Sequence, residues 1–254
     1  MTGRSLFFAV LALAICIAAP AKADGVAGKT FVNGIDANYP PFAFIDKTGK
    51  PSGFDVDSMN WIANKMGFKV EHRPMDWNGI IPSLLAKKID MVCSGMSISP
   101  ERKARVNFSD PYWSIRKYLL VKNDSALTKE NLLTGKKTLG VQAGTNEAEV
   151  LKQGIEKNGW NFTLKFYDSP PLAIEDLLNG RLDGAAIDSA PADEAMKKGN
   201  KPIKVVGEFA DPDDFGVAVR KDDAALLEAI NKGYELLKKD PYWEELQTKY
   251  IHAK

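Results

Sequence analysis

The chain has 254 residues, with 34 basic and 33 acidic side chains and a formal net charge of +1. This near balance disfavours nucleic acid or an anionic membrane as the main partner, because both need a basic surface. The only two histidines are His72 and His252, so neither a catalytic triad nor a zinc site is expected. Residues 140–144 lack the lysine of a phosphate-binding loop. The sequence therefore predicts neither a metal nor a cofactor.

The first 23 residues have the pattern of an export signal. Arg4 precedes an apolar run over residues 6–19, and small residues at positions 21 and 23 predict cleavage before Asp24. The run is too short to span a bilayer comfortably. We therefore expect a periplasmic protein of 231 residues, with 32 basic and 33 acidic side chains once the two basic residues of the signal are removed.

The two cysteines have different expected fates. Cys16 lies in the signal, and Ile15 stands before it where a lipid-attachment site needs a small residue. Cys93 would be the one cysteine of the mature chain, which excludes an internal disulfide. Because Cys93 ends an apolar stretch, the sequence predicts a buried strand thiol.

Strand and helix signals alternate along the mature chain, in the order expected of an α/β protein. The predicted strands cover residues 30–36, 89–93, 117–121, 138–141, 162–167, 184–187, 203–206 and 216–219. The predicted helices comprise one that ends at Gly67, then residues 80–87, 146–157, 172–179, 190–198, 224–238 and 242–250. This alternation predicts mostly parallel sheets flanked by helices. The length suits two lobes of about 110 residues each.

A weak internal repeat links the two predicted lobes. The sequence LLAKKID at residues 84–90 is echoed by LLNGRLD at residues 177–183. Each copy ends a helix, starts a short strand and leads into polar residues. Because ligands of open α/β sheets bind beyond the carboxyl ends of strands, two such strand ends favour two half-sites facing one cleft. The alternative is a common helix–strand junction repeated by chance.

The loop after the strand at residues 89–93 contains groups suited to a carboxylate ligand. Ser94, Gly95 and Ser97 offer hydroxyls and exposed backbone, and Arg102 offers a guanidinium fork for bidentate contact. Ser99 is expected to cap the helix that follows. Arg102 then either turns inward to a ligand or is solvated.

Three further residues have both a binding and a structural interpretation. Tyr39 and Trp77 lie at turns, where an aromatic ring either plugs the core or flanks a ligand. Asp188 ends the strand at residues 184–187, where its carboxylate either receives an ammonium group or caps the next helix.

Several segments, in a fixed order along the chain, resemble the polar amino-acid-binding proteins of solute-binding family 3, which include histidine, lysine/arginine/ornithine and glutamine binders. The segments are GIDANYPPF at 34–42, GFDVD at 53–57, SISPER at 97–102, FSDPY at 108–112, GVQAGT at 140–145, GRLD at 180–183 and GVAVRK at 216–221. The resemblance covers nearly all of the mature chain.

The resemblance implies a role for each candidate residue. Arg102 would grip the α-carboxylate of the ligand, aided by Ser97 and by donors at Ser94, Gly95, Thr145 and Asn146. Asp188 would take the α-ammonium group, Tyr39 and Trp77 would flank the side chain, and Asp36 would face its end. Asn146 departs from the family, whose members often carry threonine there, so the contact geometry at that position is open.

The resemblance also implies the architecture and the partners. The fold would be a two-lobed periplasmic-binding-protein (type II) fold, with residues 24–114 and 215–254 in lobe 1 and residues 115–214 in lobe 2. Two hinge segments, near residues 114–117 and 210–215, would let the lobes close on a free amino acid. The partner would be the membrane permease of an ABC transporter, and the protein itself a monomer.

Two alternatives stay open on the sequence. Some proteins of this fold resemble cyclohexadienyl dehydratases, for which Glu147 would be the candidate general acid. Glu147 also fits a first-turn acid stabilised by its helix dipole. The other alternative is a sensor subunit that presents its ligand to a receptor. Of the ligand classes, Asp36 favours polar uncharged or basic amino acids over acidic ones.

Overall fold

A computed structural model describes residues 25–252; the predicted signal peptide and Cys16 lie outside them. The strands are β1 Thr30–Ile35, β2 Asn38–Tyr39, β3 Ala43–Ile45, β4 Pro51–Ser52, β5 Lys69–Pro74, β6 Met91–Val92, β7 Asn107–Phe108, β8 Trp113–Lys122, β9 Lys137–Gln142, β10 Phe162–Tyr167, β11 Gly184–Asp188, β12 Ile203–Phe215 and β13 Ala218–Val219. The helices are α1 Phe54–Met66, α2 Ile80–Leu85, α3 Pro100–Arg105, α4 Lys129–Thr134, α5 Asn146–Lys157, α6 Pro170–Leu178, α7 Ser189–Lys197, α8 Ala224–Leu237 and α9 Tyr242–Leu246. A 3-10 turn at Trp77–Gly79 precedes α2, and a π-helical segment, Gln247–Ile251, follows α9.

Two five-stranded sheets form two lobes. The first lobe is built on the order β5-β1-β6-β13-β7, and the second on the order β10-β9-β11-β8-β12. A small antiparallel sheet, β2-β3-β4, lies beside the first. Each lobe has its own apolar core: α1 and α8 pack in the first, and α4, α5 and α6 cover the second. No helix among residues 25–252 is long and apolar enough to cross a membrane.

The sheets are mixed rather than wholly parallel. The pairs β1–β5, β1–β6, β9–β10 and β9–β11 are parallel, as the alternation of strands and helices predicts. The strands β8, β12 and β13 pair antiparallel with their neighbours. The parallel pairs agree with the prediction, and the antiparallel pairs involve the two long strands that connect the lobes, β8 and β12, and the short strand β13.

The internal repeat has a structural explanation. In the first lobe, the backbone N–H of Asp90 donates to Val32 O, and the Asp90 carboxylate accepts from Val32 N at 2.9 Å. In the second, Asp183 makes the same two contacts with Thr138, again with its carboxylate 2.9 Å from the amide nitrogen. Each aspartate thus joins the start of its strand to the first parallel strand of its lobe. The two lobes share this local construction.

Two strands pass from one core to the other. On β8, Ile115 packs in the core of the first lobe and Leu119 in that of the second. On β12, Phe209 belongs to the second core and Phe215 to the first. The pairing of β12 with β8 shows register shifts between Val205 and Asp213.

Candidate functional site

All ten residues predicted to contact a ligand line one small cavity between the lobes. They are Asp36, Tyr39, Trp77, Ser94, Gly95, Ser97, Arg102, Thr145, Asn146 and Asp188. The cavity lies where strands of both sheets end: Asp36 follows β1, Ser94 lies just past β6, and Asp188 ends β11. This is the position that the rule for open α/β sheets predicts. Gln142 and Glu147, which were not in the predicted set, also line the cavity.

Arg102 turns inward and lies across the cleft. Ser99 caps α3 as predicted, accepting from Arg102 N at 3.3 Å. The Arg102 guanidinium donates from Nη1 to Ser97 O at 2.9 Å and from Nη2 to Gly144 O at 3.1 Å, and lies 5.5 Å from the Trp77 ring centroid. Two of its five N–H donors are thus used by carbonyls. Arg102 is only 8% exposed, so a carboxylate bound to the remaining donors would be well shielded from water.

The start of α5 supplies the opposite wall beside Arg102. Thr145 caps this helix, since its hydroxyl accepts from Ala148 N at 3.2 Å and donates to Gln142 O at 2.8 Å. The Asn146 side chain donates to Asp213 Oδ2 at 2.5 Å. The Thr145 hydroxyl proton and one N–H of the Asn146 amide, both predicted as donors to a ligand, are therefore used within the protein. What the helix still offers is the remaining N–H groups of its first turn, since the N–H of Ala148 is already taken by the Thr145 cap.

Asp188 has one carboxylate oxygen that accepts a hydrogen bond and one that accepts none. Tyr39 donates from Oη to Asp188 Oδ2 at 2.5 Å, a contact between the lobes. Asp188 Oδ1 is buried and has no hydrogen-bond partner among residues 25–252. Asp188 does not cap α7 with its side chain, so the alternative structural role is not what the structure displays. Burial and the carboxylate of Glu147 raise the pKa of Asp188 well above its usual value, against the opposing influence of Lys117.

Tyr39 combines the two roles that the sequence left open. Its ring packs in the core of the first lobe against Phe42 and Phe215, and it also lines the cavity. Gly95 makes this position possible, because a Cβ on Gly95 would lie 2.4 Å from Tyr39 Cε1 and the residue has a φ of +61°. The Gly95 N–H, predicted as a donor to the ligand, instead donates to Asp55 Oδ2 at 2.6 Å.

The far end of the cavity contains Asp36 and Gln142. Gln142 donates from Nε2 to Asp36 Oδ2 at 2.7 Å and to Asp168 O at 3.0 Å, and Asn38 N donates to Asp36 Oδ1. Ser94 Oγ accepts from Asp36 N at 2.9 Å and thereby fixes the start of this loop. Burial raises the pKa of Asp36, and the hydrogen bond from Gln142 opposes that rise. Gln142 was not predicted to contact a ligand, although its position at the end of β9 is a sequence signal that could have identified it.

A buried ion cluster lies directly behind this cavity. Lys117 Nζ is 2.6 Å from Asp213 Oδ2, 3.6 Å from Asp188 Oδ1 and 3.8 Å from Glu147 Oε2. The Lys117 side chain is fully buried. Sequence reasoning missed Lys117 and Asp213. The signal for Lys117 was present, because it occupies the buried face of β8 between Ile115 and Leu119.

Comparison with known proteins identifies the family. Residues 31–253 match the bacterial extracellular solute-binding proteins, family 3. The chain belongs to this family. It is 33% identical to the L-cystine-binding protein TcyJ of Escherichia coli (strain K12), over 99% of this chain and 96% of that protein.

Two solved structures agree with the fold and the family. An ancestral arginine-binding protein bound to arginine is 39% identical, with a TM-score of 0.79, and the match covers 87% of this chain and 98% of that one. An ancestral amino acid-binding protein, described as a precursor of cyclohexadienyl dehydratase, is 36% identical with a TM-score of 0.79. That match covers 87% of this chain and 95% of the other. These likenesses confirm the predicted family and the predicted two-lobed type II fold.

His72 and Cys93, two side chains with potentially reactive groups, do not line the cavity. His72 is half-buried on β5, with its ring between Asn33 and Asn60. Burial lowers the pKa of His72 to about 4. Cys93 is the predicted buried thiol, with Sγ 3.4 Å from Tyr234 Oη. Burial raises the pKa of that thiol well above its usual value, which opposes reactivity.

Proposed function

We propose that this protein captures one free L-amino acid between its lobes and delivers it to the membrane permease of an ABC transporter. The observation that carries the proposal is the arrangement of Arg102 and Asp188. They reach one cavity from different lobes, Arg102 with unused donors and Asp188 with a carboxylate oxygen that accepts no hydrogen bond. An α-amino acid has a carboxylate and an ammonium group that match these two ends.

The carboxylate end of the site is proposed to consist of Arg102 and the first turn of α5. A guanidinium and backbone N–H groups favour a bound carboxylate, with charge-assisted hydrogen bonds of about 1.5–3 kcal/mol each. Ser97 would add its hydroxyl and backbone, while Thr145 and Asn146 would act through the helix N-terminus that they shape. Trp77, whose ring centroid lies 5.5 Å from the Arg102 guanidinium, would hold that group in place while lining the cavity.

The side-chain end is proposed to favour polar or basic amino acids. Asp36 is buried there beside the amide of Gln142, and Tyr39 contributes an aromatic wall. A cationic or donor-bearing side chain would pair with Asp36, whereas a carboxylate would meet it with like charge. Among similar proteins, one is described as an arginine-binding protein bound to arginine, which is consistent with this ligand class.

Closure is proposed to occur about two hinge segments, near residues 114–117 and 210–215. The supporting observation is that β8 and β12 change from one core to the other within these stretches. The register shifts in β12 leave this strand less firmly paired than a regular ladder. The lobes would accordingly comprise residues 24–114 with 215–254, and residues 115–214. Membership of an extracellular solute-binding family supports export to the periplasm.

A dehydratase activity is the second candidate, because a similar structure is described as a precursor of cyclohexadienyl dehydratase and Glu147 lines the cavity. The contacts of Glu147 favour binding without chemistry, since its carboxylate lies 3.8 Å from the Lys117 ammonium group. Asp188 also suits an ammonium group, which prephenate lacks. Incubation with prephenate is expected to give no product; turnover would overturn the proposal of a non-enzyme.

A thermal-shift screen of the standard amino acids and cystine tests the binding function. One or a few polar or basic amino acids should raise the melting temperature, by an amount that grows with the excess of ligand over Kd. Arg102→Ala should abolish the shift, with a loss of at least about 100-fold in affinity from two lost charge-assisted bonds.

Lys103→Ala is the matched control, because Lys103 is the exposed neighbour of Arg102 on α3. It should retain the full thermal shift. If no amino acid raises the melting temperature of the wild-type protein, the proposed ligand class is wrong. An unchanged shift in Arg102→Ala would refute the proposed carboxylate contact.

A further inference from the structure

A lysine stands where the pattern of a buried strand calls for an apolar residue. Ile115, Lys117 and Leu119 alternate on the buried face of β8, and the Lys117 side chain is 0% exposed. A methionine would fill a similar space without a charge to desolvate. Packing therefore does not explain why position 117 has an ammonium group, and the explanation must lie in the groups around it.

Those neighbours are three carboxylates from three different elements. Asp213 on β12 is in direct contact at 2.6 Å, Asp188 at the end of β11 lies at 3.6 Å, and Glu147 in the first turn of α5 lies at 3.8 Å. Glu147 and Asp188 both line the ligand cavity, whereas Lys117 lies behind them. The lysine thus contacts two residues of the cavity wall without lining the cavity itself.

The remaining charged and titratable groups around Asp188 are few. Tyr39 donates to its Oδ2 from the first lobe, and Arg102 acts on it across the cavity as a more distant positive charge. Lys117 is the one cation in direct ion-pair contact with Asp188 among residues 25–252. Without it, Asp188 and Glu147 would be two buried acids at close range, and such pairs resist double ionisation.

We propose that Lys117 is a positioning residue for ligand binding, whose buried ammonium group balances Asp188, Glu147 and Asp213 and so keeps Asp188 charged for the ammonium group of the ligand. Lys117 does not touch the ligand. It sets the charge of the end of the cavity that receives the ammonium group, and its contact with Asp213 ties that end to β12. Asp213 also accepts a hydrogen bond from Asn146. The Asp213 carboxylate thus contacts both Lys117, beside the proposed ammonium end of the site, and Asn146, at the proposed carboxylate end.

The influence of Lys117 on the pKa of Asp188 has the sign that this role requires. Burial and Glu147 raise that pKa well above its usual value, and Lys117 and the hydrogen bond from Tyr39 lower it. A protonated Asp188 loses its attraction for a cation, so ligand affinity should fall as the pH drops through this pKa. Removing Lys117 would move that fall to higher pH, and removing the Glu147 charge would move it to lower pH.

The inference rests on the proposed function, and the experiment separates the two. We suggest calorimetric titration of the amino acid found in the screen, between pH 5 and pH 9, against the wild type, Lys117→Met and the double variant Lys117→Met/Glu147→Gln. Lys117→Met should raise the pH midpoint of binding by about one unit or more and lower affinity at pH 7 by about tenfold. The double variant should return the midpoint toward that of the wild type, because it removes one charge of each sign.

Two controls distinguish charge from packing. Lys122→Met makes the same replacement at the far end of β8, about 16 Å along the strand, and should leave the midpoint unchanged. A uniform loss of affinity at all pH values in Lys117→Met, without a shift in midpoint, would mean a packing role and would overturn the proposal. If Lys117→Met fails to fold, the comparison passes to Glu147→Gln against the double variant, in which loss of Lys117 must still raise the midpoint.

A readout without ligand separates this inference from the proposed function. The Asp188 carboxyl can be titrated by ¹³C NMR in the ligand-free wild type and in Lys117→Met. A higher titration midpoint in the variant supports the role of Lys117 even if no amino acid binds. Equal midpoints would refute that role, whether or not an amino acid binds.

Discussion

At the scale of single residues, side chains that line the cavity form hydrogen bonds with each other across the cleft. Tyr39 donates to Asp188, and Gln142 donates to Asp36, at 2.5 and 2.7 Å. A ligand must offer better partners than these, because every buried group it displaces loses a hydrogen bond. An ammonium group for Asp188 and a cationic or donor-bearing side chain for Asp36 meet that requirement.

Asp36 provides a test of side-chain selectivity. Asp36→Asn keeps the shape of the side chain and removes its charge, so it should weaken binding of arginine or lysine by about 10–100-fold and of glutamine far less. Calorimetry with arginine and glutamine measures both. Asp46→Asn, at an exposed turn, is the control and should change neither affinity. Equal losses for both ligands would contradict the placement of Asp36 at the side-chain end.

The sequence predicted which residues line the cavity better than it predicted which of their hydrogen-bonding groups are already used. Arg102 and Asp188 were predictable because a loop of small donors and a strand end have recognisable patterns. The contacts that occupy the Asn146 side chain and the Gly95 N–H were not, since their partners, Asp213 and Asp55, lie far away in sequence. Spacing along one segment does not reveal which donors are already used by another.

At the scale of elements, the start of α1 supports the binding loop. Asp55 is in the first turn of this helix, and its Oδ2 accepts from Gly95 N at 2.6 Å and from Tyr112 Oη at 2.8 Å. Its Oδ1 is buried without a partner in the described part of the chain. Burial raises the pKa of Asp55 to about 7, against the two hydrogen bonds.

Asp55 therefore predicts a pH dependence of stability. The folded state holds the proton of Asp55 more tightly than the unfolded chain, so this residue makes the free energy of unfolding fall as pH rises from about 4 to about 7. In Asp55→Asn that contribution is absent. The unfolding free energy of the variant, relative to wild type, should rise by on the order of 2–3 kcal/mol between pH 5 and pH 8.

Urea denaturation of both proteins at pH 5 and pH 8 measures this difference. His72, Asp36 and Asp188 also titrate differently in the folded state, but they are present in both proteins and largely cancel. The same change with pH in both proteins would show that Asp55 is not the residue responsible. A variant equally destabilised at both pH values would point to geometry at Gly95 rather than to the charge.

Long elements were predicted well and short ones poorly. The predicted helix over residues 146–157 and strand over residues 162–167 match α5 and β10. The hairpin β2-β3-β4 and α4 were missed, because two- or three-residue strands and a six-residue helix show too little periodicity to detect. The strand predicted over residues 203–206 extends to Phe215, since partners on β8 hold even its acidic, proline-containing end.

At the scale of the whole molecule, two separate cores are joined by two crossing strands. This construction would let each lobe keep its own packing during the proposed closure of the cleft. The contacts that join the lobes at the cavity are polar and few, including Tyr39 to Asp188, Gln142 to Asp36 and Trp77 Nε1 to Gly144 O. Ligand binding is expected to favour the closed arrangement, because only there do Arg102 and Asp188 face the same molecule.

The most direct test of this account is calorimetry with three forms of one ligand. The amino acid selected by the screen is compared with its α-carboxamide, which lacks the carboxylate, and with its N-acetyl derivative, which lacks the ammonium group. We expect the free amino acid to bind with one site per chain and each derivative to bind at least about 100-fold more weakly, the loss of two or more charge-assisted hydrogen bonds. Either derivative binding as tightly as the parent amino acid would contradict recognition by Arg102 at one end and Asp188 at the other.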